Sequence, residues 1–299
     1  MLNEAFDKQN EDYREVIKNT LHSFTKRKEF YKKEVMQAME YSILSPGKRI
    51  RPILAIEFCK MCGGNYEDFL EIICCIELIH CFSLIHDDLP CMDDDDYRRG
   101  MPSCHKKFGE AEALLAGDAL NTLPFEIISN AYNSGKLSAD TAIKLVGEIS
   151  NATGINGMIA GQAYDMYSVK MKHFSAHNLN LLHELKTCRL VEAACVIGCI
   201  LANADEKTIE YAREFGKRFG YAFQIVDDIL DVEGSFDDLG KPIGSDKKNG
   251  KITYASLIGL KDAKSVARHQ TLESLRILDK FDYNEFLKHL TMNLLDRKN

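Results

Sequence analysis

Six aspartates and two arginines fall within fourteen residues, His86-Asp87-Asp88-Leu89-Pro90-Cys91-Met92-Asp93-Asp94-Asp95-Asp96-Tyr97-Arg98-Arg99, directly after the apolar run Ile72 to Ile85. A second acidic cluster stands far downstream, Asp227-Asp228-Ile229-Leu230-Asp231. Two carboxylates about 6 Å apart at an effective dielectric near 20 repel by roughly 3 kcal/mol, so acids crowded at the mouth of a hydrophobic segment call for a counter-ion. Mg2+ answers that need. It prefers hard oxygen ligands and binds through one or two carboxylates, several waters and the phosphates of a substrate. A charge run is ordinarily a solvated loop, which is the plain reading of Asp93 to Asp96 taken alone. The apolar run before the acids, and the repeat of Asp-Asp-x-x-Asp at Asp227, favour chemistry.

Spacing says how such side chains would be held. Asp227, Asp228 and Asp231 lie three and four positions apart on one helical face, with Gln224 one turn earlier. In the first cluster Pro90 and Cys91 lengthen the step, so Asp93 follows Asp87 by six. Proline disfavours helix at the residue before it, so the helix is expected to end near Leu89 and Asp93 to fold back from a loop. Ile72 to Leu89 is apolar nearly all round, which predicts a helix in the protein interior, with His80 on the same face as Asp87. Residues 3 to 40 read as amphipathic helices with solvated charges. Ser45-Pro46-Gly47 breaks that pattern, and Lys48, Arg49 and Arg51 follow at the start of the next helix, where free N–H groups already favour anions. Further helices are expected at Glu110–Ser129, Leu137–Tyr167, Leu179–Leu201 and Thr208–Asp231, with Gly154, Gly157 and Gly161 marking close packing or room for a ligand. No alternating strand pattern of useful length appears. The fold class is all-α, ten or more helices in a single bundle around a central cavity, one domain over 1–299.

The motifs together resemble the trans-prenyl diphosphate synthase family, in the form carried by its bacterial farnesyl diphosphate synthases. The resemblance rests on the Leu84-to-Gly100 stretch and on ordered blocks: Gly47-Lys48-Arg49-Ile50-Arg51-Pro52, Phe108-Gly109-Glu110-Ala111, Ala116-Gly117-Asp118-Ala119-Leu120, Gly161-Gln162, Lys186-Thr187, Phe223-Gln224-Ile225-Val226-Asp227-Asp228 and Gly240-Lys241. It covers about residues 40 to 260. It implies Mg2+, three ions with the diphosphate bound, with Asp87, Asp93 and Asp227 as ligands and Asp88, Asp228 and Asp231 holding ligands or metal-bound water. Arg98, Lys186 and Lys241 would brace the allylic diphosphate. Lys48, Arg51, His80 and Arg99 would hold isopentenyl diphosphate, and Thr187 and Gln224 would turn oxygens towards a carbocation. Chain length would be set by Phe82, with Ser83 beside it: five residues back from Asp87 is about 7.5 Å along the helix, and an aromatic ring there resembles a floor that stops growth at fifteen carbons. Lys247 and Lys251 belong to a Gly-, Asp- and Lys-rich loop, Glu233 to Gly250 and just beyond, that could act as a lid. The family usually has proline after the Thr-Tyr that follows this loop; here Ala255 follows Thr253-Tyr254.

Composition narrows the alternatives. A formal charge of -7 argues against a nucleic-acid surface, which needs clustered Lys and Arg. Ten cysteines, many inside apolar runs, fit a reduced cytoplasmic protein. Cys59-Lys60-Met61-Cys62 lacks a second such pair to complete a zinc site, so no metal or redox role is assigned to it. No uncharged run reaches 18 residues, which excludes a spanning helix, so no transmembrane segment is expected. The resemblance implies a homodimer. A geranylgeranyl diphosphate synthase shares every motif; a terpene cyclase would leave the second diphosphate site without use; an acidic Ca2+-binding or scaffold protein would need the spaced oxygen ligands and glycine of an EF-hand loop, which are missing.

Overall fold

Eighteen residues of almost unbroken apolar character, Leu70–Asp87, form the helix around which the first half of the chain is built (α4). With no polar stripe it has nothing to offer water, and Ile72, Ile73, Cys74, Cys75, Ile76, Leu78 and Ile79 are all fully or almost fully buried. The computed structural model describes residues 2–26, 33–171, 173–233 and 252–295. The helices before α4 are α1 (Leu2–Phe24), α2 (Lys33–Ile43) and α3 (Ile50–Met61); after it come α5 (Cys104–Phe108), α6 (Glu110–Asn133) and α7 (Ala139–Thr153). Then follow α8 (Met158–Ser168), α9 (Ala176–His183), α10 (Arg189–Leu201), α11 (Glu206–Glu233), α12 (Tyr254–Ile258), α13 (Leu260–Leu278) and α14 (Glu285–Met292). The all-α class is observed, with one departure: Tyr97–Arg98 (β1) and Met101–Pro102 (β2) form a two-stranded antiparallel ladder. Two-residue strands are too short to leave an alternating pattern in the sequence.

Contacts divide the chain into two units, one of residues 1–56 and 65–146, the other of 57–64 and 147–299. In the first, α4 packs chiefly on α6 and also on α1, whose Ile17 and Leu21 are fully buried. In the second, α11 is the central helix, packed on α13 and α10. Two glycines let α10 approach: a Cβ on Gly216 would stand 2.6 Å from Glu192 Cα, and one on Gly220 2.9 Å from Cys188 Cα.

The helix expected over Leu137–Tyr167 is two helices, α7 and α8. The chain turns back so tightly at Gly157 that a Cβ there would stand 2.1 Å from the Ala152 carbonyl oxygen. One apolar helix bears on the expectation that the chain has no transmembrane segment. Among the described residues, the stretch Tyr66–Asp87 is long and apolar enough to cross a membrane, because from Phe69 to His86 its only acids are Glu71 and Glu77. It is also the core helix just described, and 61% of that window is buried inside the protein.

Arg49, expected beside Lys48 and Arg51 at a helix start, has a different place. Its backbone takes φ 51, its guanidinium donates to Glu77 Oε1 at 2.6 Å, and it caps the carbonyls of Ile43 and Ser45 at 2.7 and 2.6 Å. The two side chains are 6% and 2% exposed, so each charge depends on the other. Arg49→Met is expected to cost about 3–5 kcal/mol in chemical denaturation, because Glu77 is left buried without a counter-charge. The double change Arg49→Met with Glu77→Leu should recover most of that loss; a double variant no more stable than the single one would show the ion pair is not the cause.

Candidate active site

The end of α4 and its following loop present the first cluster. Asp88 is the C-cap residue, and the Asp93 backbone N–H donates to the Asp87 carbonyl at 2.9 Å, closing the fold-back that the proline insertion predicted. Asp87 and Asp93 are half-buried, whereas Asp88 is 2% exposed. Arg98 holds Asp88 from both sides: its Nε donates at 2.9 and 3.2 Å to the two oxygens, and its Nη2 reaches Oδ1 as well as Asp95 Oδ2 at 3.2 Å. Burial pushes the Asp88 carboxyl up, and Arg98 counters it. The guanidinium expected to brace a diphosphate therefore also anchors the aspartate motif.

Arg99 sits at the hairpin turn. Arg99 and Gly100 have φ of 54 and 75 between the paired residues Arg98 and Met101, which is the two-residue turn that suits a right-twisted ribbon. From there its guanidinium reaches Ser45 Oγ at 3.3 Å and His80 Nε2 at 3.3 Å. It lies over Gly47, where a Cβ would come within 2.7 Å of Nη1. His80 is held neutral, well below the ordinary imidazole range, first by burial and then by Arg51, Arg99, Arg49 and Arg98. The sequence-predicted group of Arg51, His80 and Arg99 is thus gathered in one neighbourhood, a neutral imidazole among permanent cations. Lys48 is half-buried two residues before α3. Phe82 is buried with its ring edge-on to His86 at 5.1 Å, and Ser83 Oγ donates back to the His80 carbonyl at 2.9 Å.

In the second unit, α11 carries Gln224, Asp227, Asp228 and Asp231 on successive turns. Asp227 is half-buried; Asp228 and Asp231 are buried. Asp228 accepts from Gln224 Nε2 at 3.0 Å and from the Tyr254 backbone N–H at 3.1 Å, and Gln224 Oε1 accepts from Thr187 Oγ1 at 2.9 Å. Lys186 and Thr187 lie in a π turn, Glu184–Cys188, inserted between α9 and α10. Such wide turns recur at functional sites because they re-aim side chains. Gly161 makes the turn possible, since a Cβ there would stand 2.3 Å from the Lys186 nitrogen. Lys186 donates to Asp165 Oδ2 at 2.6 Å. Ala255 lies in the first turn of α12, which a capping box fixes: Thr253 Oγ1 accepts from Ser256 N at 3.2 Å and Ser256 Oγ from Thr253 N at 2.9 Å. Lys241, Lys247 and Lys251 lie outside the described residues.

One residue at this site was missed in the sequence. His183 is buried, its Nε2 3.9 Å from Asp228 Oδ2 and its ring 5.4 Å from that of Tyr254. Only its position three residues before Lys186 could have drawn notice. Burial brings its pKa down to about 3, Lys186 adding to the fall and Asp165 opposing it. His80 and His183 are then neutral when folded and protonate when unfolded below about 6.5. The unfolded chain binds more protons in that range, so stability falls as pH drops, by up to about 1.4 kcal/mol per unit for each histidine. Urea midpoints should be lower at pH 5.5 than at pH 7.5, with a smaller difference in His183→Gln; equal midpoints would refute the depressed values.

Among the described residues no group of three or more His, Cys, Asp or Glu is gathered as a dedicated metal cage. Mg2+ does not need one, since it takes one or two carboxylates and completes its shell with water and phosphate. Half-buried Asp87 and Asp93 in the first unit, and half-buried Asp227 in the second, each beside a neighbour held in place by hydrogen bonds, separately fit that manner of binding.

The polyprenyl synthetase family model matches residues 32–291. The farnesyl diphosphate synthase of Bacillus subtilis (strain 168) is 41% identical over 267 residues, 89% of either chain. A putative geranylgeranyl pyrophosphate synthase 8, chloroplastic, of Arabidopsis thaliana is 44% identical over 242 residues, 80% of this chain and 67% of that one. A crystal structure of geranyltransferase from Helicobacter pylori, complexed with magnesium and isoprenyl diphosphate, superposes with a TM-score of 0.80 at 33% identity, covering 96% of this chain and 95% of that one.

Proposed function

The chain belongs to the polyprenyl synthetase family and is a prenyltransferase of the trans-prenyl diphosphate synthase type, and we propose that it makes farnesyl diphosphate. An allylic diphosphate, dimethylallyl or geranyl, would condense head-to-tail with isopentenyl diphosphate and release diphosphate. The observation that carries this reading is the Arg51, His80 and Arg99 neighbourhood beside the first aspartate cluster. A second phosphorylated substrate needs such a site, and a cyclase acting on one diphosphate does not. Arginine forks suit phosphate oxygens, and a neutral histidine adds a donor without repelling its cationic neighbours.

The roles proposed for the residues are those the family membership suggests. Asp87, Asp93 and Asp227 would hold Mg2+, with Asp88 fixed by Arg98 and Asp228 by Gln224 and the Tyr254 N–H, and Asp231 buried one turn beyond Asp227 and Asp228. When bound, the metal neutralises charge on the departing diphosphate, which makes loss of that group feasible. Lys186 would brace the allylic diphosphate, with Lys241; Arg98 would do so from its place on Asp88. Thr187 and Gln224 present oxygens that can stabilise a cation without attacking it. Lys48 would join Arg51, His80 and Arg99 on isopentenyl diphosphate, whose double bond attacks the allylic carbon. The final proton would pass to the released diphosphate.

The whole chain is proposed to act as one synthase domain, as a homodimer in the cytoplasm. The family match over residues 32–291 supports the first point, apolar Leu114 and Leu115 exposed on α6 the second, and a half-buried and an exposed thiol among ten free cysteines the third. A twenty-carbon product is the second reading, favoured by the Arabidopsis relative. The test gives purified protein geranyl diphosphate, isopentenyl diphosphate and Mg2+ and measures product length. A fifteen-carbon product supports the proposal; twenty carbons keeps the chemistry and discards the floor. Turnover that does not depend on isopentenyl diphosphate would overturn the condensation itself.

A further inference from the structure

Ten thiols are free in the chain, and two of them meet: Cys62 and Cys199 stand 3.6 Å apart, sulfur to sulfur, though 137 residues separate them in sequence. Cys62 follows the last residue of α3, and Cys199 lies near the end of α10. Backbone hydrogen bonds fix the end of α3 at this point. Cys62 N–H donates to the Phe58 carbonyl at 3.1 Å and Gly64 N–H to that of Cys59 at 2.9 Å, around Gly63 at φ 81. The chain then runs against the end of α10 so closely that a Cβ on Gly64 would stand 2.9 Å from Ala202 Cβ. The two helix ends hold their sulfurs together without needing to move, and Cys62 is half-buried, within reach of a small reagent.

We propose that Cys62 and Cys199 form a dithiol modification site that a low-molecular-weight disulfide oxidises to an intramolecular disulfide. The Cys62 thiolate attacks one sulfur of the reagent, forming a mixed disulfide and expelling one thiolate. Cys199, giving up its proton, then attacks the Cys62 sulfur, and the second thiolate leaves. Two protein thiols are oxidised, and one reagent disulfide is reduced to two thiols. Closing the pair to a bond of about 2.05 Å needs side-chain rotation and no large backbone movement. The order of attack follows exposure: Cys62 is open to the reagent and Cys199 is buried. It also follows acidity, because the hydrogen bond the two thiols share draws Cys62 down, while that bond and burial push Cys199 up. A metal is a poorer occupant, since no third ligand joins them among the described residues.

The test treats the full-length protein with oxidised glutathione, alkylates remaining thiols and maps the peptides by mass. The expected product is a Cys62–Cys199 linked peptide. Closing so long a loop should also raise Tm by roughly 5 °C, reversed by dithiothreitol. Cys199→Ala should stop at a glutathione adduct on Cys62, Cys62→Ser should give neither link nor Tm rise, and Cys91→Ser, which removes the exposed thiol, should behave as the unchanged protein. Cys62→Ser, at a half-buried helix end, should keep the fold, so the comparison does not depend on the buried change. A stable glutathione adduct on Cys62 in the unchanged protein, or both thiols still alkylated after Cys91 has reacted, would overturn the proposal.

Discussion

Asp227→Ala is expected to lower kcat/KM for geranyl and isopentenyl diphosphates by at least about a thousandfold, the scale of losing a group that acts on transition-state charge, with little loss of stability. Asp227 is half-buried on the same helix face as two buried aspartates. Water reaches the surroundings of a half-buried side chain, so truncating it seals no polar partner away from solvent. Asp228→Ala should behave differently. It takes the acceptor from Gln224 Nε2 and from the Tyr254 N–H, and each buried donor left without one costs about 1–3 kcal/mol. Activity and Tm would then fall together, with Thr187 loosened through Gln224. Circular dichroism melts beside a radiolabel assay separate the two cases. Asp227→Ala retaining activity within tenfold, at any Mg2+ concentration, would remove that residue from the metal site.

The acidic clusters were readable because charge repulsion and helical spacing are local: Asp87 to Asp93 spans six residues, and the proline between them announces the fold-back that the Asp93 N–H completes. The burial of α4 was readable from its lack of a polar stripe. Arg49 was not, because its partner Glu77 is 28 positions away and nothing local distinguishes it from Lys48 or Arg51. The π turn at Lys186 and Thr187 was hidden inside an unbroken helical pattern; its cause, the close approach of Gly161, is a tertiary contact. The same holds for His183, whose place beside Asp228 depends on how α9 packs against α11 through the turn between them. Sequence patterns of period 3.6 locate helices but carry no information on which backbone carbonyl another segment will touch.

Phe82→Ala is expected to change the product rather than the chemistry: with excess isopentenyl diphosphate, the main product should move from fifteen carbons to twenty or longer. Phe82 is 6% exposed on α4, about 7.5 Å along the helix from Asp87. Its ring is held by more than α4 itself. It stands edge-on to His86, whose Nε2 meets the Leu114 carbonyl at 3.1 Å, and whose ring occupies the space a Cβ on Gly117 would take. A neighbour held against α6 in that way resists the Phe82 ring swinging aside as a chain lengthens, which is the property a floor needs. Truncation should cost about 3–5 kcal/mol if the cavity stays empty, less where a longer tail fills it. A floor therefore predicts two linked results, longer product and a lower Tm partly restored by a twenty-carbon diphosphate. Plain core packing predicts the lower Tm alone, with fifteen carbons still released, and that outcome would refute the floor while leaving the aspartate chemistry in place.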